Sequence, residues 1–113
     1  MPWRLTHDPY KILVSEIMLQ QTQVSRVLIK YKEFLHHFPT LPSLARASVT
    51  EVLRVWQGLG YNRRAIALHK IAQVGAIPDD PMALQKLPGI GPYTAAAIAV
   101  FAFDKKLPMI ETN

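Results

Sequence analysis

The stretch SEIMLQQTQV, residues 15–24, sets a carboxylate in the middle of an apolar helix and follows it with paired glutamines. Desolvating an ionised carboxylate is costly, so an apolar setting for Glu16 favours the protonated acid. An acid that keeps its proton near neutral pH is what general acid catalysis requires. A structural ion pair with Arg4, Arg63 or Arg64 is the alternative. A second stretch, LPGIGPYTAAA at residues 87–97, reads as two helices joined by a turn flanked by Gly89 and Gly91. Glycines there let the backbone approach a phosphate, and the N–H groups at the start of the second helix, around Thr94, face the anion. An ordinary tight helical hairpin is the competing reading, but the preceding Leu-Pro and following Thr-Ala make the pattern more specific than a bare Gly-x-Gly. Such contacts position DNA without reading its sequence. Arg63, Arg64 and Lys70 share an earlier helix, either against backbone phosphate or as solvated surface.

The elements that must position these groups are helical throughout. Asp8 before Pro9 predicts a helix from there to about Gln21, and its apolar residues spread around most of the circumference, leaving a narrow polar sector at Lys11 and Ser15. Glu16 falls inside the apolar arc, so this helix is expected to be buried. Thr22 is placed to cap a second, amphipathic helix that Pro39 ends. Pro42 and Ser43 open a single turn through Arg46, and Ser48 with Glu51 forms a capping box for a helix ending at Gly58. Asn62 is placed to cap a helix from Arg63 to Val74, closed by Gly75. The turn IPDDP precedes a short helix through Leu87, and a last, alanine-rich helix runs from Pro92 to about Phe103. No segment alternates with a period of two. The expected fold class is all-α, a compact bundle of about six or seven short helices, with a helix-hairpin-helix at about residues 81–103.

The 113 residues suffice for one domain, half of them hydrophobic. The absence of cysteine excludes disulfides and thiolate metal sites within this chain. No apolar run approaches the ~20 residues a membrane span needs, so no membrane association and a cytoplasmic location are expected. A net charge of +5 suits a polyanionic partner, because basic residues gain affinity by releasing counterions from nucleic acid. The chain opens on MPWR with little lead and stops at LPMIETN where a new helix could start, so a longer protein is expected.

Three stretches, PWR with DPYKILVSEIMLQQTQV, then VWQGLGYNRRAIALHKIA, then LPGIGPYTAAAIA, in this order resemble the catalytic domain of adenine DNA glycosylases of the MutY type, in the helix-hairpin-helix superfamily that includes endonuclease III. The resemblance runs from Pro2 to Asn113. It implies a base-excision repair enzyme that hydrolyses the N-glycosidic bond of adenine mispaired with 8-oxoguanine or guanine in double-stranded DNA, acting as a monomer. By this resemblance Glu16 is the catalytic acid, protonating adenine N7 and helping to direct water at the sugar. Leu19, Gln20 and Gln21 match the segment that wedges into the duplex, a solvated helix end being the alternative for the glutamines. Tyr61 matches the tyrosine that stacks beside the oxidised guanine, although a lone aromatic there would more often be core. Trp3 and Arg4 match residues near the extruded adenine. Filling the gap left by the extruded base helps offset the unstacking cost.

Tyr93 stands where the endonuclease III branch has a lysine that attacks the sugar; tyrosine cannot form the Schiff base, so water is the expected nucleophile and strand cleavage is not efficient. Tyrosine here also occurs in the family's thymine glycosylases for T:G mismatches, which keeps that substrate open, as does a non-catalytic helix-hairpin-helix DNA-binding module. The family's second carboxylate is an aspartate, whereas this chain has Glu111. A misplacement of about 1 Å can cost on the order of a hundredfold in rate. The resemblance also implies a four-cysteine 4Fe-4S cluster and a C-terminal recognition domain, neither within these residues. The isolated 113-residue segment is therefore expected to be weakly active or inactive, checked by comparing its adenine release with that of the longer protein.

Overall fold

The computed structural model describes residues 2, 5–20 and 22–105; Trp3, Arg4, Gln21 and Glu111 lie outside the described residues. Seven helices are present among the described residues: α1 (Pro9–Leu19), α2 (Val24–His37), α3 (Leu41–Arg46), α4 (Val49–Trp56), α5 (Asn62–Val74), α6 (Pro81–Leu84) and α7 (Pro92–Phe103). None is long and apolar enough to cross a membrane.

Helix α1 starts where the Asp8 side chain accepts the Tyr10 N–H, with Pro9 in the first turn. It is buried on every face from Ile12 to Met18 and packs against α2, α5 and α7. The expected polar sector at Ser15 does not exist. Ser15 is fully buried, its hydroxyl donating to the Ile12 carbonyl at 2.8 Å, so the helix satisfies it internally. Helix α1 also stops at Leu19, short of the expected Gln21, because Gln20 turns extended at φ −63°, ψ 110°.

Two caps differ from expectation. Gln23 precedes α2 without a side-chain cap, since Thr22 lies one residue too far upstream. Tyr61 rather than Asn62 precedes α5, in the left-handed region at φ 51°. The capping box at Ser48 and Glu51 is present, with a second at Thr40 and Ser43. Helices α3 and α4 pack on α5, α2 on α4, and α6 on α7, around a core that includes Phe34, Leu44, Trp56, Leu68, Ile71 and Ile98.

Helix α7 carries Ala95, Ala96, Ala97 and Ala99 buried, so small side chains set its approach to α1. Leucine has nearly the helix propensity of alanine, so replacing a buried alanine isolates packing. Ala95→Leu is expected to destabilise the intact protein by about 1–3 kcal/mol in urea unfolding, with an unchanged m-value.

Candidate active site and DNA-facing surface

The site is built around the end of α1. A helix ending inside a protein leaves its last carbonyls without intrahelical donors. Arg64, from α5, adds a donor there: its Nη1 donates to the Ile17 carbonyl at 3.3 Å, which the Gln20 N–H also bonds, and to the Gln20 carbonyl. No basic residue lies in the last turn of α1 itself, so this is also the cation that complements its C-terminal dipole. Arg64 is only 9% exposed, and burial pushes its guanidinium below the usual arginine range, with Tyr61 opposing and Arg63 adding to the shift. Its Nη2 is buried without a hydrogen-bond partner among the described residues.

Turned out of the helix, Gln20 reaches across to the α6–α7 hairpin. Its amide nitrogen donates to Thr94 Oγ1 at 3.0 Å and, at the long distance of 3.4 Å, to the Gly89 carbonyl. Gly89 sits at φ +75°, and a Cβ there would meet the Ala67 Cβ at 3.1 Å, so both backbone and space demand glycine. Gly91 differs. Its φ of −90° suits any residue and a Cβ would meet nothing within 4 Å. No side chain caps α7 at this point, which leaves its N-terminal end open beside the exposed Tyr93.

Glu16 is 6% exposed and lines a pocket of about 150 Å³ with Leu19, Gln20, Tyr93 and Thr94. Five residues singled out in the sequence, from two distant segments, thus line one recess. A larger groove of about 590 Å³ is lined by Gln20, Arg63, Arg64, Ala67 and Gly89, with Arg63 exposed and Arg64 turned inward. Lys70 is exposed on the same helix.

Tyr61 is half exposed and lines a hollow with Thr22, Gln23, Arg26 and Leu59, while the Arg64 guanidinium lies 4.4 Å from its ring centroid. A non-glycine residue at φ 51° carries a cost of order 1–3 kcal/mol and persists only where its surroundings impose it. Those surroundings were not singled out in the sequence: the Trp56 indole donates to the Gly60 carbonyl at 3.0 Å and Arg26 Nη1 to the Gly58 carbonyl at 2.9 Å. The four-residue spacing of Trp56 and Gly60 was an available signal; nothing local marked Arg26 or Ala67.

Fold and site together define the class, an all-helical helix-hairpin-helix protein with a carboxylate buried beside the hairpin. The chain belongs to the HhH-GPD superfamily of base excision DNA repair proteins, whose family model matches residues 14–111. It is 46% identical to an adenine DNA glycosylase of Mycobacterium tuberculosis over 120 aligned residues, covering 100% of this chain and 40% of that protein. A thymine/uracil-DNA glycosylase of Pyrobaculum aerophilum is 38% identical, with 100% of this chain and 52% of that protein covered. Among solved structures, a thermostable thymine-DNA glycosylase superposes with a TM-score of 0.88 at 34% identity, covering 96% of this chain and 54% of that one. Endonuclease III bound to DNA superposes at 0.79 and 24% identity over 89% of this chain and 51% of that one, which bears on the fold. The chain thus spans about 40% of the length of the adenine glycosylase it matches.

The four-cysteine cluster implied by the resemblance cannot be held by these residues, which include no cysteine, and the described residues contain no cluster of three His, Asp or Glu able to hold a metal. Gly89→Ala is expected to cost more than about 1 kcal/mol of stability, from the left-handed backbone and the Ala67 contact together, measured by thermal or urea unfolding. In an Ala67→Gly background, itself less stable because Ala67 lies inside α5, Gly89→Ala should cost less by the steric part alone.

Proposed function

We propose that this chain is part of the catalytic core of a monofunctional DNA glycosylase that removes adenine mispaired with 8-oxoguanine or guanine, working as a monomer on double-stranded DNA. The observation that carries this reading is a buried carboxyl, Glu16, opening onto a recess shared with Tyr93 and the helical hairpin. The names of the relatives at 46% identity favour adenine as the base.

In the proposed reaction, the duplex docks on the open end of α7 and the groove beside Arg63, and the adenine is extruded towards the recess. Glu16 passes its proton to adenine N7, which makes the base a competent leaving group. The C1′–N9 bond then breaks, its electron pair passing to the base, and the sugar becomes oxocarbenium-like. The Glu16 carboxylate next takes a proton from the water that adds to C1′. Glu111 is proposed to stabilise the developing charge. Trp3 and Arg4 are proposed to flank the adenine, Leu19, Gln20 and Gln21 to support the opened duplex, and Tyr61 to stack beside the opposite base. Tyr93, lacking an amine, leaves water as the nucleophile.

A thymine glycosylase for T:G mismatches is the second reading, favoured by the 0.88 superposition on a thymine-DNA glycosylase. Single-turnover release from A:8-oxoguanine, A:G, T:G and undamaged duplexes by the intact protein decides between them. Release from the two adenine mispairs is expected, with Glu16→Gln lowering the rate by about 10²–10⁴. Release from T:G alone overturns adenine as the substrate; an unaffected Glu16→Gln overturns the acid. Gly91→Ala is expected to leave stability within about 0.5 kcal/mol, since it enters open space, yet weaken duplex binding in a salt-dependent titration. Unchanged binding would remove the phosphate role from this turn.

A further inference from the structure

Arg64 joins two parts of the site that are distant in sequence. One side of its guanidinium lies against the Tyr61 ring, with 4.4 Å between the guanidinium carbon and the ring centroid. Its Nη1 bonds the carbonyls of Ile17 and Gln20, the first of them next in the chain to Glu16. Gln20 then continues the connection through its amide to Thr94 Oγ1, in the wall of the recess onto which Glu16 opens. The guanidinium is planar and rigid, with donors in a fixed fork. Both carbonyl bonds come from Nη1, so tilting the plane with the Tyr61 ring displaces that one nitrogen from both carbonyls. Arg64 is buried, whereas Tyr61 is half exposed and held in a left-handed conformation by its loop. Arg64 thus stands between an exposed ring and the buried end of α1.

We propose that Arg64 is a positioning residue that couples contact at Tyr61 to the geometry of the Glu16 recess, by holding the end of α1 and Gln20 in a position that depends on where the Tyr61 ring lies. This rests on the proposed glycosylase reading, in which Tyr61 meets the base opposite the adenine. A guanidinium stacked on a ring and bonded to carbonyls keeps its charge when replaced by lysine but loses both the plane and the fork.

The test is single-turnover adenine release by the intact protein, corrected for active fraction, on A:8-oxoguanine and A:G duplexes. The readout is the ratio of the two rates. A purely structural role lowers both rates together and leaves the ratio where it was. Arg64→Lys is expected to change the ratio by about 2- to 30-fold, the range a side-chain network of this kind carries. Tyr61→Leu is expected to change it in the same direction, and the double variant to be no worse than the more affected single one. An unchanged ratio in Arg64→Lys beside a changed one in Tyr61→Leu, or fully multiplicative effects in the double variant, overturns the coupling. Should Arg64→Lys not fold, hydrogen exchange at the Gln20 amide, bonded to the Ile17 carbonyl at 3.3 Å, gives the answer with Arg64 intact. Tyr61→Leu is expected to speed that exchange at least threefold, and unaltered protection overturns the proposal. Absence of release from any duplex by the unsubstituted protein is instead the failure of the glycosylase reading, and the exchange measurement then still tests the connection itself.

Discussion

A helix that is apolar on nearly every face must lie in the middle of the fold, and its ends must then be satisfied by the protein rather than by water. Helix α1 meets that constraint at one end with its own neighbour Asp8 and at the other with a residue 47 positions away, Arg64. Backbone carbonyls buried without donors cost about as much as lost hydrogen bonds, and the guanidinium adds a donor at this end, to the Gln20 carbonyl and, alongside the Gln20 N–H, to the Ile17 carbonyl. Once α1 stops at Leu19, Gln20 is released to bridge the hairpin, and the recess beside Glu16 acquires its wall. This one buried cation thereby links α5, the end of α1 beside the recess, and the Tyr61 ring.

Burying a carboxyl beside that helix end works against stability. Glu16 is 6% exposed and opens onto the recess shared with Gln20, Tyr93 and Thr94. Glu16 is thus held on a rigid helix rather than on a loop, which is the arrangement that keeps a reacting group within the small tolerance catalysis allows. The hairpin shows the complementary economy. Gly89 is required by its own backbone and by Ala67, whereas Gly91 is required by nothing within the described residues. A glycine that the fold does not need leaves open space at the start of α7, which the proposed function gives to a phosphate of the duplex.

The local signals in the chain were readable because they are local. Asp8-Pro9, Ser48 with Glu51, Gly75 and the alanine-rich segment after Pro92 mark helix ends and a buried helix through bonds spanning a few residues, and the structure has them. The larger errors occur where packing against other segments decides burial or backbone conformation. Ser15 reads as polar surface from its type but is buried with its hydroxyl turned back on α1. Asn62 reads as a cap, yet Arg26 and Trp56 shape the preceding loop so that Tyr61 takes that place in a left-handed conformation.

By itself, then, the chain determined that it forms short helices, that one of them carries an acid into the interior, and that a glycine-turned hairpin follows. These are consequences of side-chain periodicity and capping, which act within a turn or two of helix. Only the tertiary structure decided that Arg64 is buried with its Nη1 on carbonyls at the end of α1, that Gln20 leaves α1 to bond Thr94, and that Glu16 and Tyr93, 77 residues apart, line one recess. Those outcomes depend on which buried polar groups find partners across the fold, and that is settled by the packing of α1, α5 and α7 together rather than by any one segment.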